Sequence, residues 1–475
     1  MTAASGGVPR VVPEETVLYT DILRLATCHD DLGDISDASI LVRGNVIAWV
    51  GPTASLPAAE REAAVRTVSL AGQVVIPGLV NTHHHMYQTL TRCVAQDSQL
   101  FGWLTSLYPA WSTMRGEDVY VSAKLAMSEL ILSGCTTSSD HLYIYPNDVL
   151  LDDTIRAARE VGLRFLATRG IMTLGASSGG LPPDDCVERA EAALADAERL
   201  IAQFHDASRY ATLRIGLAPC SPFSVTDEVM RGAAAVAERH ERVRLHTHLA
   251  ENDEDVAYSQ RRYGCRPGAY VRRMGWEHDR SWFAHCVKLD AGERAQFREA
   301  GMAVAHCPSS NLRLASGICP VRRLLDDGVT VALGVDGSAS NDGSNLLQEA
   351  RLALLLQRAG GDASGLRVRE ALRLATRGGA VALGWADAIG QIAPGFAADF
   401  VGWQTRGNLS MAGALRDPVS ALLLCDPGRV TTSVINGEQI VADGALLTQD
   451  LETLIEDHNA RSARICSVIT DAPEA

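Results

Sequence analysis

Short apolar β-type runs alternate with longer stretches of helical periodicity between about residues 73 and 392, and this alternation limits the possible folds most. The stretches "EDVYVSAKLAMSELILSG" and "CVERAEAALADAERLIAQF" are typical of its helices. We predict eight strands, at residues 74–83, 134–141, 164–169, 213–220, 243–248, 282–286, 303–306 and 329–336. Eight β–α steps predict an α/β fold, a (β/α)8 TIM-type barrel. A doubly wound sheet is the alternative, but no G-x-G-x-x-G or P-loop follows the first strand.

Both ends of the chain carry β-type runs of a different kind, with turn signals between them. The segment "SILVRGNVIAWVG" alternates apolar and polar residues around an Arg43-Gly44-Asn45 turn. After residue 395 similar runs return in "ADFVGWQ" and "VTTSVINGEQIVADG". We predict that residues 1–72 and 395–475 form one small β-sandwich beside a barrel at 73–394. Two unrelated β caps are the alternative.

Charge and cysteine usage exclude several classes of protein. With 43 Lys and Arg against 57 Asp and Glu, the chain carries −14, which disfavours binding to nucleic acid or to an anionic membrane. No apolar run approaches the roughly 18 residues of a membrane helix, and the N-terminus lacks an apolar signal core. The 11 cysteines contain no C-x-x-C pair, which is typical of reduced thiols. We therefore expect a cytoplasmic protein.

Histidines occupy the ends of two predicted strands, which form the catalytic face of a barrel. His83 and His85 in "NTHHHMYQ" lie two apart, so they share a face of the strand. They suit a metal site or, alternatively, a surface cluster. His246 and His248 also share a face, and Glu251 follows where the chain turns into a loop. At this position the Glu251 carboxylate could transfer protons beside a metal-bound water. The alternative is a core His beside a solvated Glu.

Two further polar residues end predicted strands. His285 ends the apolar strand in "SWFAHCV", where a lone His is more often a core group. Asp336 follows a continuously apolar strand, so its carboxylate must be paired, hydrogen-bonded or metal-bound, or must begin a turn before Gly337. Because these groups fall on strands one, five, six and eight of one barrel, we predict that they meet in a metal site.

The motifs resemble those of a known family. The segments "PGLVNTHHH", "HLAE", "HCPSSNLRLASGICPV" and "GVDGSASND" are similar to the metal and catalytic motifs of the amidohydrolase superfamily. The likeness is to its branch of nucleobase and amino-heterocycle deaminases, and it extends over nearly the whole chain. The segment "ATRGGAVALGWADAIGQIAPGFAADFV" resembles the return to the β domain in that branch.

This resemblance implies a metal-dependent hydrolytic deaminase with a single divalent metal, zinc first and iron as the alternative. No Lys stands where binuclear members carry a bridging lysine, since the fourth strand ends "LAPCSPFS". The resemblance also implies a small heterocyclic substrate and allows a homodimer. Its implied metal ligands are His83, His85, His248 and Asp336. Its implied catalytic residues are Glu251, His285 and Asp336.

Within the branch, "HHHMYQTLTR" and "SSDHLYIYPN" are most similar to bacterial 8-oxoguanine deaminases, which form urate and ammonia. Guanine or isoxanthopterin deaminases and s-triazine amino- or chlorohydrolases are the alternatives, and a non-catalytic scaffold is a third. We predict substrate contacts from the Gln88 amide, the Arg92 guanidinium and the Trp111 ring. Arg92 could instead form a salt bridge, and Trp111 could pack in the core. Cys220 stands where several relatives have a substrate-contacting His, and could leave room for an 8-oxo group.

Overall fold

The computed structural model describes residues 15–469, so the outer ends of both predicted terminal segments, 1–14 and 470–475, lie outside it. The strands are β1 Thr16–Ala26, β2 Asp34–Arg43, β3 Val46–Pro52, β4 Arg66–Ser69, β5 Gln73–Pro77, β6 Leu79–Asn81, β7 Cys135–Leu142, β8 Arg164–Ile171, β9 Leu213–Pro219, β10 Arg244–Leu249, β11 Ser281–His285, β12 Ala303–His306, β13 Thr330–Leu333, β14 Phe400–Gln404, β15 Thr432–Ile435, β16 Glu438–Ala442 and β17 Ala445–Leu446.

Helices follow most of these strands. They are α1 Ala58–Glu62, α2 Leu100–Trp111, α3 Gly116–Ser133, α4 Leu151–Val161, α5 Ala190–Phe204, α6 Asp227–Arg239, α7 Asp253–Tyr263, α8 Pro267–Arg273, α9 Ala291–Ala300, α10 Pro308–Arg313, α11 Val321–Asp326, α12 Leu346–Arg358, α13 Val368–Arg373, α14 Gly379–Ala382, α15 Pro418–Leu424 and α16 Leu451–Cys466. Short 3-10 turns cover Thr53–Ser55, Met86–Thr91, Ala176–Ser178, Asp184–Cys186 and Leu409–Met411, and a π-turn covers Leu374–Gly378.

Strands β6 to β13 form a parallel sheet in which each strand pairs with the next along the chain. Hydrogen bonds between its first and last strands close the ring: Thr82 N–H donates to the Leu333 carbonyl at 3.0 Å, and Asp336 N–H donates to the His83 carbonyl at 3.0 Å. These strands are almost wholly buried, as expected where helices cover a parallel sheet. The predicted (β/α)8 barrel is confirmed.

The first predicted strand, at residues 74–83, is in fact two strands in different sheets. β5 pairs with β1 and β14 in the sheet built from the chain ends, and only β6 belongs to the barrel. Gly78 joins them where the backbone passes close to β7. A Cβ atom at Gly78 would lie 2.0 Å from Thr136 Oγ1, so only glycine fits.

The β domain is one continuous nine-stranded sheet, with β4 paired to β1 beside the path β17-β16-β15-β14-β5-β1-β2-β3. Strands from both ends of the chain therefore meet in one unit, and the alternative of two unrelated β caps is wrong. Tyr19, Ile40, Phe400 and Val434 pack together in its core. An ion pair at 0% and 1% side-chain exposure, Arg164 on β8 with Asp399 before β14, joins this sheet to the barrel.

Helix α16, which follows the last strand of the β domain, packs against the barrel. Its His458 Nε2 lies 2.8 Å from Thr89 Oγ1, and its Arg461 pairs with the buried Asp118 of α3 at 3.0 Å. No helix within residues 15–469 is long and apolar enough to cross a membrane. All 11 cysteines are unpaired.

Candidate metal centre and active site

Four predicted ligands converge at the carboxyl ends of the barrel strands. His83 and His85 follow β6, His248 lies at the end of β10, and Asp336 follows β13. Asp336 Oδ1 lies 3.3 Å from both His83 Nε2 and His85 Nε2, and the Nε2 atoms of His85 and His248 are 3.1 Å apart. A fourth imidazole, His141, has a ring nitrogen within 4.8 Å of those of the three histidines. Its Nε2–H donates to the Ala218 carbonyl at 2.8 Å.

Backbone acceptors fix which ring nitrogen faces the cluster. His85 Nδ1–H donates to the His141 carbonyl at 2.7 Å, and His248 Nδ1–H donates to the Cys220 carbonyl at 2.5 Å. Burial lowers the pKa of both imidazoles, so each is neutral and carries one N–H. Their Nε2 lone pairs therefore face each other without a proton between them.

This arrangement fits a divalent cation. His83 Nε2 is buried without a hydrogen-bond partner, and the nearest group is the Asp336 carboxylate. Ring nitrogens of His83, His85 and His248 lie within 4.8 Å of one another, and Asp336 Oδ1 lies 3.3 Å from two of them. Buried lone pairs gathered in this way repel each other unless a cation lies among them. Nitrogen and oxygen donors in this number suit zinc and other first-row transition metals.

His246, which shares a face of β10 with His248, contacts the imidazole of His83. Its Nδ1–H donates to the Trp282 carbonyl at 2.9 Å, and its Nε2 lies 2.7 Å from His83 Nδ1. The two-residue spacing predicted this common face. It did not predict that His246 would contact His83, a predicted ligand that follows β6 and lies far away in sequence.

Glu251 and His285 lie beside the cluster. His285 Nε2 is 3.6 Å from Glu251 Oε2 and 3.8 Å from Asp336 Oδ2. Two residues that the sequence analysis missed hold them: His285 Nδ1–H donates to Asn311 Oδ1 at 2.9 Å, and the Ser316 hydroxyl donates to Glu251 Oε1 at 3.3 Å. Both come from the segment after β12, whose likeness to the family was the only available signal.

The electrostatic environment separates the two carboxyl groups. Burial raises the pKa of Glu251, which favours its protonated form. Burial also acts to raise the pKa of Asp336, but His83, His285 and His85 hold it well below its usual range. Burial by itself would lower the pKa of His285, and the carboxylates of Glu251 and Asp336 raise it instead. Two neighbouring carboxyl groups with opposite shifts are typical of acid–base sites.

A cavity opens onto this cluster. Its walls are aromatic and aliphatic: Leu100, Trp103, Leu104, Tyr108, Tyr143, Phe223 and Leu314. Gln88, Cys220, Ser221 and Ser340 add polar groups. The Gln88 Oε1 atom is buried and has no hydrogen-bond partner. Among the described residues that line this cavity there is no Lys or Arg.

Two of the four predicted substrate contacts, Gln88 and Cys220, lie in the cavity wall, but Arg92 and Trp111 do not. Arg92 Nη2 forms an ion pair with Glu129 at 2.5 Å and faces a separate cavity beside α16. Trp111 is fully buried, and its Nε1–H donates to Thr91 Oγ1 at 3.0 Å. Arg92 therefore forms a salt bridge and Trp111 packs in the core, which were the alternatives considered for them. The tryptophan in the cavity wall is Trp103, which the sequence did not single out.

The model of the amidohydrolase family matches residues 74–440, which include every member of the cluster. The chain belongs to the amidohydrolase family. It is 48% identical over 396 residues to the 8-oxoguanine deaminase of Pseudomonas aeruginosa, covering 82% of this chain and 87% of that protein. It is 36% identical over 395 residues to an isoxanthopterin deaminase of an unknown prokaryotic organism, covering 78% and 80%. The predicted family and its deaminase branch are confirmed.

Solved structures of similar proteins support the same family assignment. An atrazine chlorohydrolase from Arthrobacter aurescens, crystallised with zinc, is 34% identical with a TM-score of 0.88, covering 94% of this amidohydrolase and 100% of that chain. An adenosine deaminase from Xanthomonas campestris with bound zinc is 29% identical with a TM-score of 0.84, covering 96% and 100%. The amidohydrolase fold and its metal dependence are thus shared with relatives that hold zinc.

Proposed function

We propose that this amidohydrolase is a zinc-dependent deaminase that hydrolyses 8-oxoguanine to urate and ammonia. The observation that carries the proposal is the common position of the His–Asp cluster and the Glu251–His285 pair at the base of one cavity. The 48% identity to an 8-oxoguanine deaminase supports the choice of substrate.

In this proposal His83, His85, His248 and Asp336 hold one divalent ion, for which zinc is our choice. When bound, such an ion supplies Lewis acidity that lowers the pKa of water toward neutrality. The three imidazoles contribute neutral nitrogen donors, and Asp336 contributes the one negative charge.

The neighbouring residues move the protons. Glu251, whose pKa is raised by burial, donates a proton to the ring nitrogen next to the carbon that bears the amino group. His285 and the Asp336 carboxylate orient the attacking water and accept its proton as the new C–O bond forms. Asp336 then returns this proton to the amino nitrogen, and the C–N bond breaks as ammonia leaves. The proton of the new hydroxyl group passes to the Glu251 carboxylate as the product carbonyl forms, which restores the acid. The reaction adds one water and releases one ammonia, so no oxidant or reductant is required.

The cavity suits a flat, uncharged heterocycle. The Trp103 and Tyr143 rings form part of its wall, and no Lys or Arg among the described lining residues offers a partner for a phosphate or carboxylate. The unpaired Gln88 amide oxygen offers an acceptor for an N–H on the purine edge. A free base therefore fits this chemistry better than a nucleotide does.

The test is an ammonia-release and ultraviolet assay on zinc-loaded protein with 8-oxoguanine, guanine, isoxanthopterin and an amino-s-triazine in parallel. We expect 8-oxoguanine to have the highest kcat/KM. Preference for the pterin or the triazine would overturn the proposed substrate and keep the deaminase reaction. Absence of ammonia release with all four compounds would overturn the deaminase reaction itself.

Further predictions concern the location and the partners of the protein. We expect a cytoplasmic enzyme that acts as a homodimer and binds neither nucleic acid nor membrane. Light scattering on the purified protein tests the dimer, and cell fractionation tests the location.

A further inference from the structure

Two residues that follow β6, one of β10 and one of β11 form a closed ring of contacts that includes His83. His83 Nδ1 lies 2.7 Å from His246 Nε2, and His246 Nδ1 lies 2.9 Å from the Trp282 carbonyl. The Trp282 indole N–H then donates to the carbonyl of Thr82 at 3.0 Å, and Thr82 is bonded to His83. The His246 and Trp282 rings also stack, with centroids 4.3 Å apart and planes at 16°.

The direction of every hydrogen bond in this ring follows from one fact. A carbonyl oxygen can only accept, so His246 Nδ1 must carry the proton it shares with Trp282. A neutral imidazole has a single N–H, so His246 Nε2 is an acceptor and His83 Nδ1 must be the donor. His83 Nε2 is left with its lone pair, and this is the buried atom without a partner that faces Asp336.

The other two imidazoles of the cluster are oriented differently. His85 and His248 donate to backbone carbonyls, which no substitution can remove. His83 donates to a side chain, and therefore its tautomer depends on the residue at position 246. Partners of this kind typically change metal affinity about 10- to 100-fold when they are lost.

We propose that His246 is a positioning residue for the metal centre: it accepts the Nδ1 proton of His83 and so keeps the His83 Nε2 lone pair directed at the metal. Trp282 completes this hydrogen-bond arrangement, because its carbonyl fixes the His246 tautomer and its indole N–H binds the backbone beside His83. This inference rests on the metal centre of the proposed function, although it does not depend on the substrate.

The experiment compares His246→Phe with His246→Gln. Phenylalanine keeps a ring to stack on Trp282 but offers no acceptor, whereas the glutamine side chain can bring an amide oxygen near the position of His246 Nε2. Zinc affinity is measured by competition with a chromophoric chelator, and the visible spectrum of the cobalt-substituted protein reports the ligand field. Circular dichroism and Tm of the metal-free proteins check the fold.

We expect His246→Phe to lose about 10- to 100-fold in zinc affinity with an altered cobalt spectrum, and His246→Gln to remain within a few-fold of the parent. Equal affinities in both variants and the parent would overturn the inference, and so would equal losses in both, because packing alone would then explain the effect. If the parent chain itself binds no divalent metal, the proposed function fails together with this inference.

A third variant, Trp282→Phe, separates the contribution of the His246–His83 contact from that of the Trp282–Thr82 hydrogen bond. It retains the backbone carbonyl and an aromatic face, and it removes the N–H that holds Thr82 together with part of the indole ring. We expect its zinc affinity to fall by less than that of His246→Phe. A loss as large as that of His246→Phe would assign the effect to the Thr82 backbone and contradict the role given to His246.

Discussion

His285 Nε2 lies 3.6 Å from Glu251 Oε2, and both side chains are at most 5% exposed. One is held by Asn311 and the other by Ser316, so the pair is fixed from outside before any substrate arrives. Such preorganisation is typical of groups that transfer protons at a defined position.

Replacement of Glu251 by Gln removes the transferable proton while it keeps the size of the side chain. We expect kcat to fall about 10²- to 10⁴-fold, because general acid catalysis is lost. Metal content should be unchanged, since Glu251 is not one of the four converging ligands. Steady-state kinetics and metal analysis on the same preparation test both parts. A kcat within threefold of the parent value would show that another group supplies the proton.

The Ser316 hydroxyl tunes the acid. Burial raises the pKa of Glu251, and the hydrogen bond from Ser316 opposes this because it stabilises the carboxylate. In Ser316→Ala that opposition is lost, so the pKa of Glu251 rises further. In the proposed mechanism the protonated form of Glu251 is the active one, so the alkaline limb of the kcat profile should move to higher pH. A limb that stays in place or moves to lower pH contradicts the acid role of Glu251.

The convergence of His83, His85, His248 and Asp336 could be predicted from the sequence for two physical reasons. Side chains two apart on a strand share a face, and the carboxyl ends of parallel strands meet at one end of a barrel. Neither reason depends on the details of packing. Local pattern therefore sufficed for the cluster, for the barrel and for the order of its strands.

The rest depends on contacts that the pattern does not contain. The run at residues 74–83 is broken by Pro77-Gly78, a turn signal that the single predicted strand did not take into account. The signal marks an interruption, but it does not show that the chain leaves one sheet for the other there. Gln88 lies within the 3-10 turn Met86–Thr91 and faces the cavity, whereas Arg92 follows that turn and meets Glu129. Which way a side chain points after such a short turn is decided by tertiary packing. The same holds for Asn311 and Ser316.

Substitution of Gln88 tests whether its side chain binds the substrate or only lies in the cavity wall. Gln88→Ala should lower kcat/KM for a purine by about tenfold, because a buried hydrogen-bond partner of the ring is lost. Arg92→Gln is the matched control four residues away. Its ion pair with Glu129 is about one-third exposed and faces the other cavity, so kcat/KM should change by less than about threefold. Equal effects in the two variants would remove Gln88 from the binding site.

The largest predicted change in the free energy of unfolding concerns the junction between the barrel and the β domain. Arg164 forms two hydrogen bonds with the Asp399 carboxylate, at 2.9 and 3.1 Å, with both side chains almost fully buried. Arg164→Ala leaves Asp399 buried without this cation, which should lower the free energy of unfolding by about 3–5 kcal/mol. The control is Arg373→Ala, whose ion pair with Asp30 at 3.0 Å has side chains 51% and 61% exposed.

For Arg373→Ala we expect a loss of about 1 kcal/mol or less, because solvent screens an exposed pair. Urea denaturation followed by circular dichroism measures both variants against the parent protein. Metal content should be unaffected in either case, since Arg164 and Arg373 lie outside the cluster. Similar losses in the two variants would show that the buried pair does not hold the two sheets together.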